Sequence, residues 1–241
     1  PKGRKETGLY AIAGAKLFEE ALEMRQRFHS AAFAFDKTEK HQDVIRLLEE
    51  SGIPVYAMPG AMMESVCGTE TPQGAFALLH APSFDLPDDL LQLGTKTVAL
   101  DGVQDPGNVG AIMRTAQAFG AGSVVLGKGC ASPLNPKVVR SCMGAIFRIP
   151  VYETDDIADL LAVLKNKGYT TIAGHVQGNE ETPACLERCA LVIGNEARGV
   201  SPGVEKQCSV LWRLPMPGSM ESLNASVAAG VMMYELFVRE K

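Results

Sequence analysis

The chain has 241 residues, of which 46% are apolar and 21% charged, and its net charge is −5. The length exceeds a typical domain of about 150 residues and fits one large or two small domains. The composition is that of an ordinary globular protein, not a fibrous or low-complexity one, and the acidic total taken alone argues against a nucleic-acid partner.

The first part alternates helix and strand signals. Residues Ala15–Phe28 place Leu17, Phe18, Ala21, Leu22 and Met24 at helical spacing. A short apolar run, Ala31–Phe35, has strand length. The helical pattern returns over His41–Ser51 and stops at Gly52, and Ile53–Ala57 reads as the next strand. Pro59–Val66 reads as a short helix, Cys67–Gln73 as a loop and Gly74–His80 as a strand. Residues 81–95 carry Pro82, Asp85, Pro87, Asp88 and Asp89, a polar composition that predicts a linker.

The second part restarts with strand Thr97–Leu100. A helix follows, with Val109, Ile112, Met113, Ala116 and Phe119 on one face, and then strand Ser123–Leu126. Helices near Pro136–Met143 and over Asp156–Lys167 alternate with strands near Ile149, at Thr170–Ala173 and at Ala190–Ile193. The chain closes with strand Val210–Leu214 and a long helix from Ser222. Such alternation predicts an α/β fold with a mostly parallel sheet covered on both faces. The expected division is 1–80, a linker over 81–95, and 96–241.

No apolar stretch reaches the ~20 residues of a membrane span. Leu223–Val238 comes nearest, but Asn224, Ser226 and Glu235 make it a buried helix. The charged opening has no apolar core behind it, so no signal peptide is expected, and Pro1 in place of Met leads us to expect upstream residues. None of the six cysteines forms Cys-x-x-Cys, and the four histidines are not beside them at ligand spacing. Free thiols in a reducing cytoplasm, with no metal site, are the expectation. The Asn224–Ser226 sequon falls within an apolar helical pattern and is read as a chance match.

Three loops leave strands with unusual polar content, and in an open α/β sheet ligands gather at the carboxyl ends of strands. The loop Asp101–Gly107 leads into a helix carrying Asn108 and Arg114. Its glycines do not fit a dinucleotide fingerprint, and Asn108 could serve as the helix N-cap. The loop Ile193–Pro202 holds Gly194, Glu196, Arg198 and Gly199. It reads as a binding loop or as a capped turn with a surface Glu196–Arg198 pair. The loop Leu214–Asn224 feeds Ser222 and Asn224 into the last helix; capping accounts for Ser222 but not for Asn224. Gly122–Gly129 reads G-x-x-x-x-G-K-G, but it lacks the Ser/Thr of a phosphate loop and its middle is a Val-Val-Leu strand, so it is not one.

The three segments, Asn108…Arg114, Gly194…Gly199 and Leu214…Ser222…Asn224, together resemble the three motifs of the SpoU/TrmH family of RNA ribose 2′-O-methyltransferases, in the SPOUT superfamily. The match runs from about residue 95 to the end of the chain, and Ser132–Arg148 also looks like the family. The resemblance implies a C-terminal trefoil knot, an exception to unknotted topology. It implies that S-adenosylmethionine is held by backbone around Ala173, Gly174, Gly194, Leu214, Met216 and Leu223. It also implies a homodimer with the terminal helix in the interface. The N-terminal segment Arg4…Leu22 resembles the ribosomal-protein-like RNA-binding domain fused to many of these enzymes.

By that resemblance Arg114 activates the substrate, while Asn108, Glu196, Ser222 and Asn224 orient the arginine, the ribose and the cofactor. Because guanidinium stays charged, Arg114 either accepts the proton against its chemistry or clamps a phosphate and stabilises the developing alkoxide. Lys137, Arg140, Arg4 and Lys5 are candidate RNA contacts. Large-subunit ribosomal RNA is expected ahead of transfer RNA, because of the N-terminal domain. The competing readings are a non-catalytic RNA-binding protein of the same fold and a nucleotide-dependent enzyme, and the latter lacks a phosphate fingerprint. The acidic total is an average: residues 95–150 hold Lys96, Arg114, Lys128, Lys137, Arg140 and Arg148 against Asp101 and Asp105. A local basic surface is therefore expected.

Overall fold

Alternation of strand-length and helix-length apolar patterns produces two separate α/β units in the computed structural model, Pro1–Pro82 and Ser83–Lys241. The described residues are 7–67, 74–183, 187–220 and 222–239, so Arg4 and Lys5 lie outside them.

The first unit contains strands β1 (Leu9–Ala13), β2 (Phe28–Ala34), β3 (Val55–Met58) and β4 (Ala75–His80), in the order β1-β4-β2-β3. Strand β4 runs antiparallel to β1 and β2, and β2 pairs parallel with β3. Helices α1 (Ala15–Glu23), α2 (Gln42–Glu50) and α3 (Gly60–Cys67) complete it. Helix α1 buries Leu17, Phe18 and Ala21, and the Phe18 ring lies 5.2 Å from Phe28 and 5.4 Å from Phe33. The helix stops at Glu23, short of the expected Phe28. Arg25 takes φ of 50°, which breaks the helical path, and Phe28 already belongs to β2. Strand β1 has no counterpart in the sequence expectations. Its alternation is short, yet Tyr10 and Ile12 are buried on one face.

The second unit is built on β5 (Lys96–Asp101), β6 (Ser123–Gly127), β7 (Val151–Thr154), β8 (Thr170–Asn179), β9 (Cys189–Gly194) and β10 (Val210–Trp212). All pairings are parallel, in the order β10-β8-β9-β5-β6-β7. The helices are α4 (Pro106–Ala118), α5 (Pro136–Ser141), α6 (Ile157–Asn166), α7 (Pro202–Gln207) and α8 (Ala225–Met233). Strand residues alternate between two cores. Val98 and Leu100 face Val109, Ile112, Ala229 and Met232, whereas Ala99 and Val125 face Leu160, Leu161 and Val204. Residues 83–95 pack onto this unit: Leu93 is fully buried and the Phe84 carbonyl accepts from Glu153 N at 2.7 Å.

Three differences from the sequence expectations bear on the loops. Strand β8 continues six residues past Ala173, because its extension pairs with β10 near Trp212. Helix α7 fits into six residues behind Pro202. Helix α8 starts at Ala225 rather than Ser222 and ends in a π turn at Tyr234–Val238. Lys96 Nζ donates to the Phe237 carbonyl at 2.7 Å and ties that turn to the start of β5. No described helix is long and apolar enough to cross a membrane.

Candidate active site

Because all six strands run the same way, the loops after β10, β8, β9 and β5 emerge along one edge. The pairing Asp101↔Gly194 sets the first two of the three motif loops side by side, and Ala173↔Val192 and Leu211↔Ala173 bring in the others.

Asp105, not Asn108, caps α4. Its Oδ1 accepts from Asn108 N at 3.0 Å, and Pro106 fills the first helical position. Asn108 therefore sits inside the first turn, buried at 8% exposure, and its amide is available to neighbours. It donates from Nδ2 to Glu196 Oε1 at 2.9 Å and accepts at Oδ1 from Asn224 Nδ2 at 3.0 Å. Glu196 also accepts from Asp105 N at 3.0 Å and Gln104 N at 3.1 Å. Burial alone would raise the Glu196 carboxyl; the Asn108 side chain and backbone N–H donors outweigh it and hold it below its ordinary value. One residue from each motif thus joins a single chain of hydrogen bonds, Glu196–Asn108–Asn224.

The loop that carries Glu196 is closed by Asn195 N to Gly199 O at 2.9 Å and Gly199 N to Asn195 O at 2.8 Å. Asn195 was not singled out by sequence reasoning. Its Oδ1 accepts from the N–H groups of Ala197 and Arg198, and its Nδ2 donates to Gly102 O at 2.7 Å. Asp101 Oδ2 accepts from Ser201 N at 2.7 Å and completes the seam. The signal for both was their position at a strand end, where a short polar side chain reaches backbone. Gly194 is required by packing: a Cβ there would collide with the backbone of Gly199 and Val200.

The third loop contrasts with this. Asn224, not Ser222, caps α8, accepting at Oδ1 from Ser226 N at 2.9 Å and Val227 N at 3.4 Å. The Ser222 hydroxyl makes no hydrogen bond among the described residues, and the structure does not bring it into the network. Leu214 is buried at 8% exposure, yet its backbone groups and those of Met216 have no hydrogen-bond partner among the described residues. Nearby in sequence, the buried Trp212 keeps its indole N–H unpartnered. Unspent backbone donors and acceptors at buried Leu214 and half-buried Met216 suit a ligand with an adenine-type edge, so the residues present fit S-adenosylmethionine. Gly174 offers backbone only, since a Cβ there would meet Met232 Sδ at 2.9 Å.

Arg114 is exposed on α4 and makes no hydrogen bond or ion pair among the described residues. Six residues separate it from Asn108, which turns it about 240° around the helix, away from the network. It follows Gly107 and Gly110 on the face toward α5, where the two helices pack closely: a Cβ on Gly110 would collide with Ser141 Oγ and stand 2.7 Å from the Val138 carbonyl. Lys137 lies in the first turn of that helix and pairs with Asp105 at 3.0 Å, and this hydrogen bond is the main reason the Asp105 carboxyl lies below its ordinary value. Arg140 is exposed on the same helix. Burial pushes the Cys130 thiol up to about 11 and the Cys208 thiol to about 12, so neither is a thiolate nucleophile at neutral pH. Among the described residues no group of three or more His, Cys, Asp or Glu could hold a metal ion.

Residues 95–234 match the family described as SpoU rRNA Methylase, and residues 11–84 match the module described as RNA 2′-O ribose methyltransferase substrate binding. A 23S rRNA (guanosine(2553)-2′-O)-methyltransferase, RlmP of Bacillus subtilis strain 168, is 35% identical over 237 residues, covering 98% of this chain and 91% of that protein. The AdoMet-bound rRNA methyltransferase of Sinorhizobium meliloti superimposes with a TM-score of 0.85 at 28% identity, covering 98% of this chain and 89% of that one. A structure titled for 2-OH methylation of C/U34 on tRNA matches with a TM-score of 0.51 at 27% identity, covering 60% of this chain and 96% of that one. The second unit therefore has the SPOUT architecture, the trefoil-knot fold that the motifs imply, and the chain carries an N-terminal substrate-binding unit before it.

Proposed function

The chain belongs to the SpoU rRNA methylase family and is an S-adenosylmethionine-dependent RNA methyltransferase; we propose that its target is a ribose 2′-hydroxyl of large-subunit ribosomal RNA. The observation that carries the choice of RNA is coverage. The ribosomal RNA enzymes above align with both units, whereas the transfer RNA enzyme aligns with 60% of the chain. The extra unit matches a substrate-binding module, so it is the part that reads the larger RNA.

S-adenosylmethionine, when bound, supplies an activated methyl group on a sulfonium. The backbone of Ala173, Gly174, Gly194, Leu214, Met216 and Leu223 would hold it, and the Ser222 hydroxyl would serve the same ligand or the ribose. Arg114 lies against the phosphate next to the target ribose and stabilises the charge that develops on the 2′-oxygen. Its uncommitted guanidinium supports that role, because a paired one would first have to break its bond. Asn108, Glu196 and Asn224 are positioning residues that set the three loops relative to one another. Lys137, Arg140, Arg4 and Lys5 contact RNA backbone, with Lys137 exchanging Asp105 for a phosphate.

The assembly is a homodimer in the cytoplasm. Val227, Val231, Tyr234 and Val238 are exposed at spacings of four, three and four residues, an apolar stripe on the last helix that a second copy would cover. The test is methyl transfer from labelled S-adenosylmethionine to unmodified 23S rRNA and tRNA transcripts, followed by mapping of the modified nucleotide. Methylation of tRNA alone would reject the ribosomal reading. Arg114→Ala is expected to lower kcat about 100- to 1,000-fold with cofactor affinity unchanged, and near-normal turnover would remove Arg114 from the mechanism.

A further inference from the structure

Glu196 and Arg198 carry opposite charges two residues apart, and a surface pair between them would be unremarkable. The carboxylate instead spends its oxygens on Asn108 Nδ2 and the backbone N–H groups of Gln104 and Asp105. The Arg198 side chain is left exposed, with no hydrogen bond or ion pair among the described residues. Its backbone is nevertheless fixed. Asn195 Oδ1 accepts from Arg198 N at 3.1 Å, two backbone bonds close the loop, and Asn195 Nδ2 anchors it to Gly102.

A second cation stands beside this loop. Lys128 follows β6 directly, is exposed, and also has no partner among the described residues. A Cβ on Gly102 would lie 3.9 Å from the Lys128 carbonyl and 4.0 Å from Asn195 Cβ, so the two loops meet over the same turn. The carboxylates on the joined loops are already committed: Asp101 to Ser201 N, Asp105 to Lys137 and Asn108 N, and Glu196 as above. Asp101 and Glu196 keep their negative charge, but their oxygens are spent on fixed N–H donors, so neither pairs with Arg198 or Lys128 and both cations keep their donors for a ligand.

We propose that Arg198 and Lys128 form a phosphodiester-binding rim beside the methyl-transfer centre, gripping the RNA backbone that flanks the target ribose. The inference rests on the RNA methyltransferase reading above. A guanidinium on a pre-ordered loop matches phosphate oxygens in two-pronged fashion and loses little entropy on binding, and Lys128 adds a point charge. Such contacts position the strand without reading its bases.

The test uses the full-length protein and whichever unmodified transcript, 23S rRNA or tRNA, the wild type methylates. For Arg198→Ala and Lys128→Ala, the KM for RNA is expected to rise roughly five- to tenfold. The slope of log KM against log salt should fall by about 0.7 to 0.9 per residue removed. The KM for S-adenosylmethionine, the melting temperature and the oligomeric state should stay at wild-type values, and Arg198→Lys should recover part of the loss. The rim is overturned if RNA KM and salt slope match the wild type. It is equally overturned if RNA KM rises only together with cofactor KM or with dissociation of the assembly. A wild-type protein that transfers no methyl group to RNA overturns the parent reading, and the rim with it.

Discussion

The 195–201 loop and the 213–223 loop leave the same sheet edge, yet the first is sewn along residues 101–108 by hydrogen bonds from Asn195, Glu196, Asn108 and Ser201. Beyond Arg213, the second makes none through its backbone among the described residues. One loop is finished by the fold, and the other has donors and acceptors to spend on a ligand. In the proposed reading, a site assembled this way would keep its positioning groups rigid at no cost to cofactor entry, because order would be demanded chiefly of the 213–223 loop.

The comparison can be broken most severely at Gly194. Gly194→Val forces a side chain into the backbone of Gly199 and Val200, and a loss of about 3 kcal/mol or more is expected, read as a melting temperature roughly 6 to 12 °C lower. A melting temperature within a degree of wild type would mean that the two loops are not in contact as described.

The contrast is sharpened by amide hydrogen exchange with and without S-adenosylmethionine. Slowing of about ten- to a hundredfold is expected at Leu214 and Met216, with little change over Asn195–Val200. Equal protection of both loops would show that the first is not preformed. Glu196→Ala strips a partner from Asn108 and from two backbone N–H groups; the exposed setting limits the loss to about 1 to 2 kcal/mol by urea unfolding. Glu196→Gln should recover less than half, because it keeps the shape without the charge.

The smallest effect is on acid stability. The Glu196 and Asp105 carboxyls lie below their ordinary values of 4.5 and 3.8. Their contribution is complete above those values and is lost as pH falls through the lower folded ones. Unfolding midpoints below about pH 4.5 should therefore drop less steeply in Glu196→Gln than in wild type, and parallel curves would remove Glu196 from acid unfolding.

Much of this was legible in the residues. The apolar face of α4, the helix α6, the strands expected at Ser123–Leu126 and Ala190–Ile193, each one residue short of its observed end, and the gathering of polar loops at strand ends followed from apolar spacing and from the direction of parallel strands. The sequence misled where two residues competed for one backbone job. Asn108 and Asp105 both suit a cap, and Pro106 at the first helical position decides for Asp105. Ser222 and Asn224 compete likewise, and the amide wins because it caps with Oδ1 while Nδ2 reaches Asn108. The uncommitted Arg198 was hidden for a related reason: only the fold brings Gln104 and Asp105 N–H groups to Glu196, across about ninety residues of chain.

That span has a consequence for synthesis. The bond between Asn108 and Asn224 joins positions 116 residues apart, and the central strand β5 finds its partner β9 only after β6, β7 and β8 have been made. Consecutive strands can pair early, β5 with β6, β6 with β7 and β8 with β9, but the β5–β9 seam at the centre must wait for a long loop to close. As the chain leaves the ribosome, the first unit can fold while residues beyond 83 are still emerging. The edge that carries the candidate site closes only when Asn224 and the helix behind it are free of the exit tunnel. A truncated nascent chain would thus carry an RNA-binding unit with no enzyme attached to it.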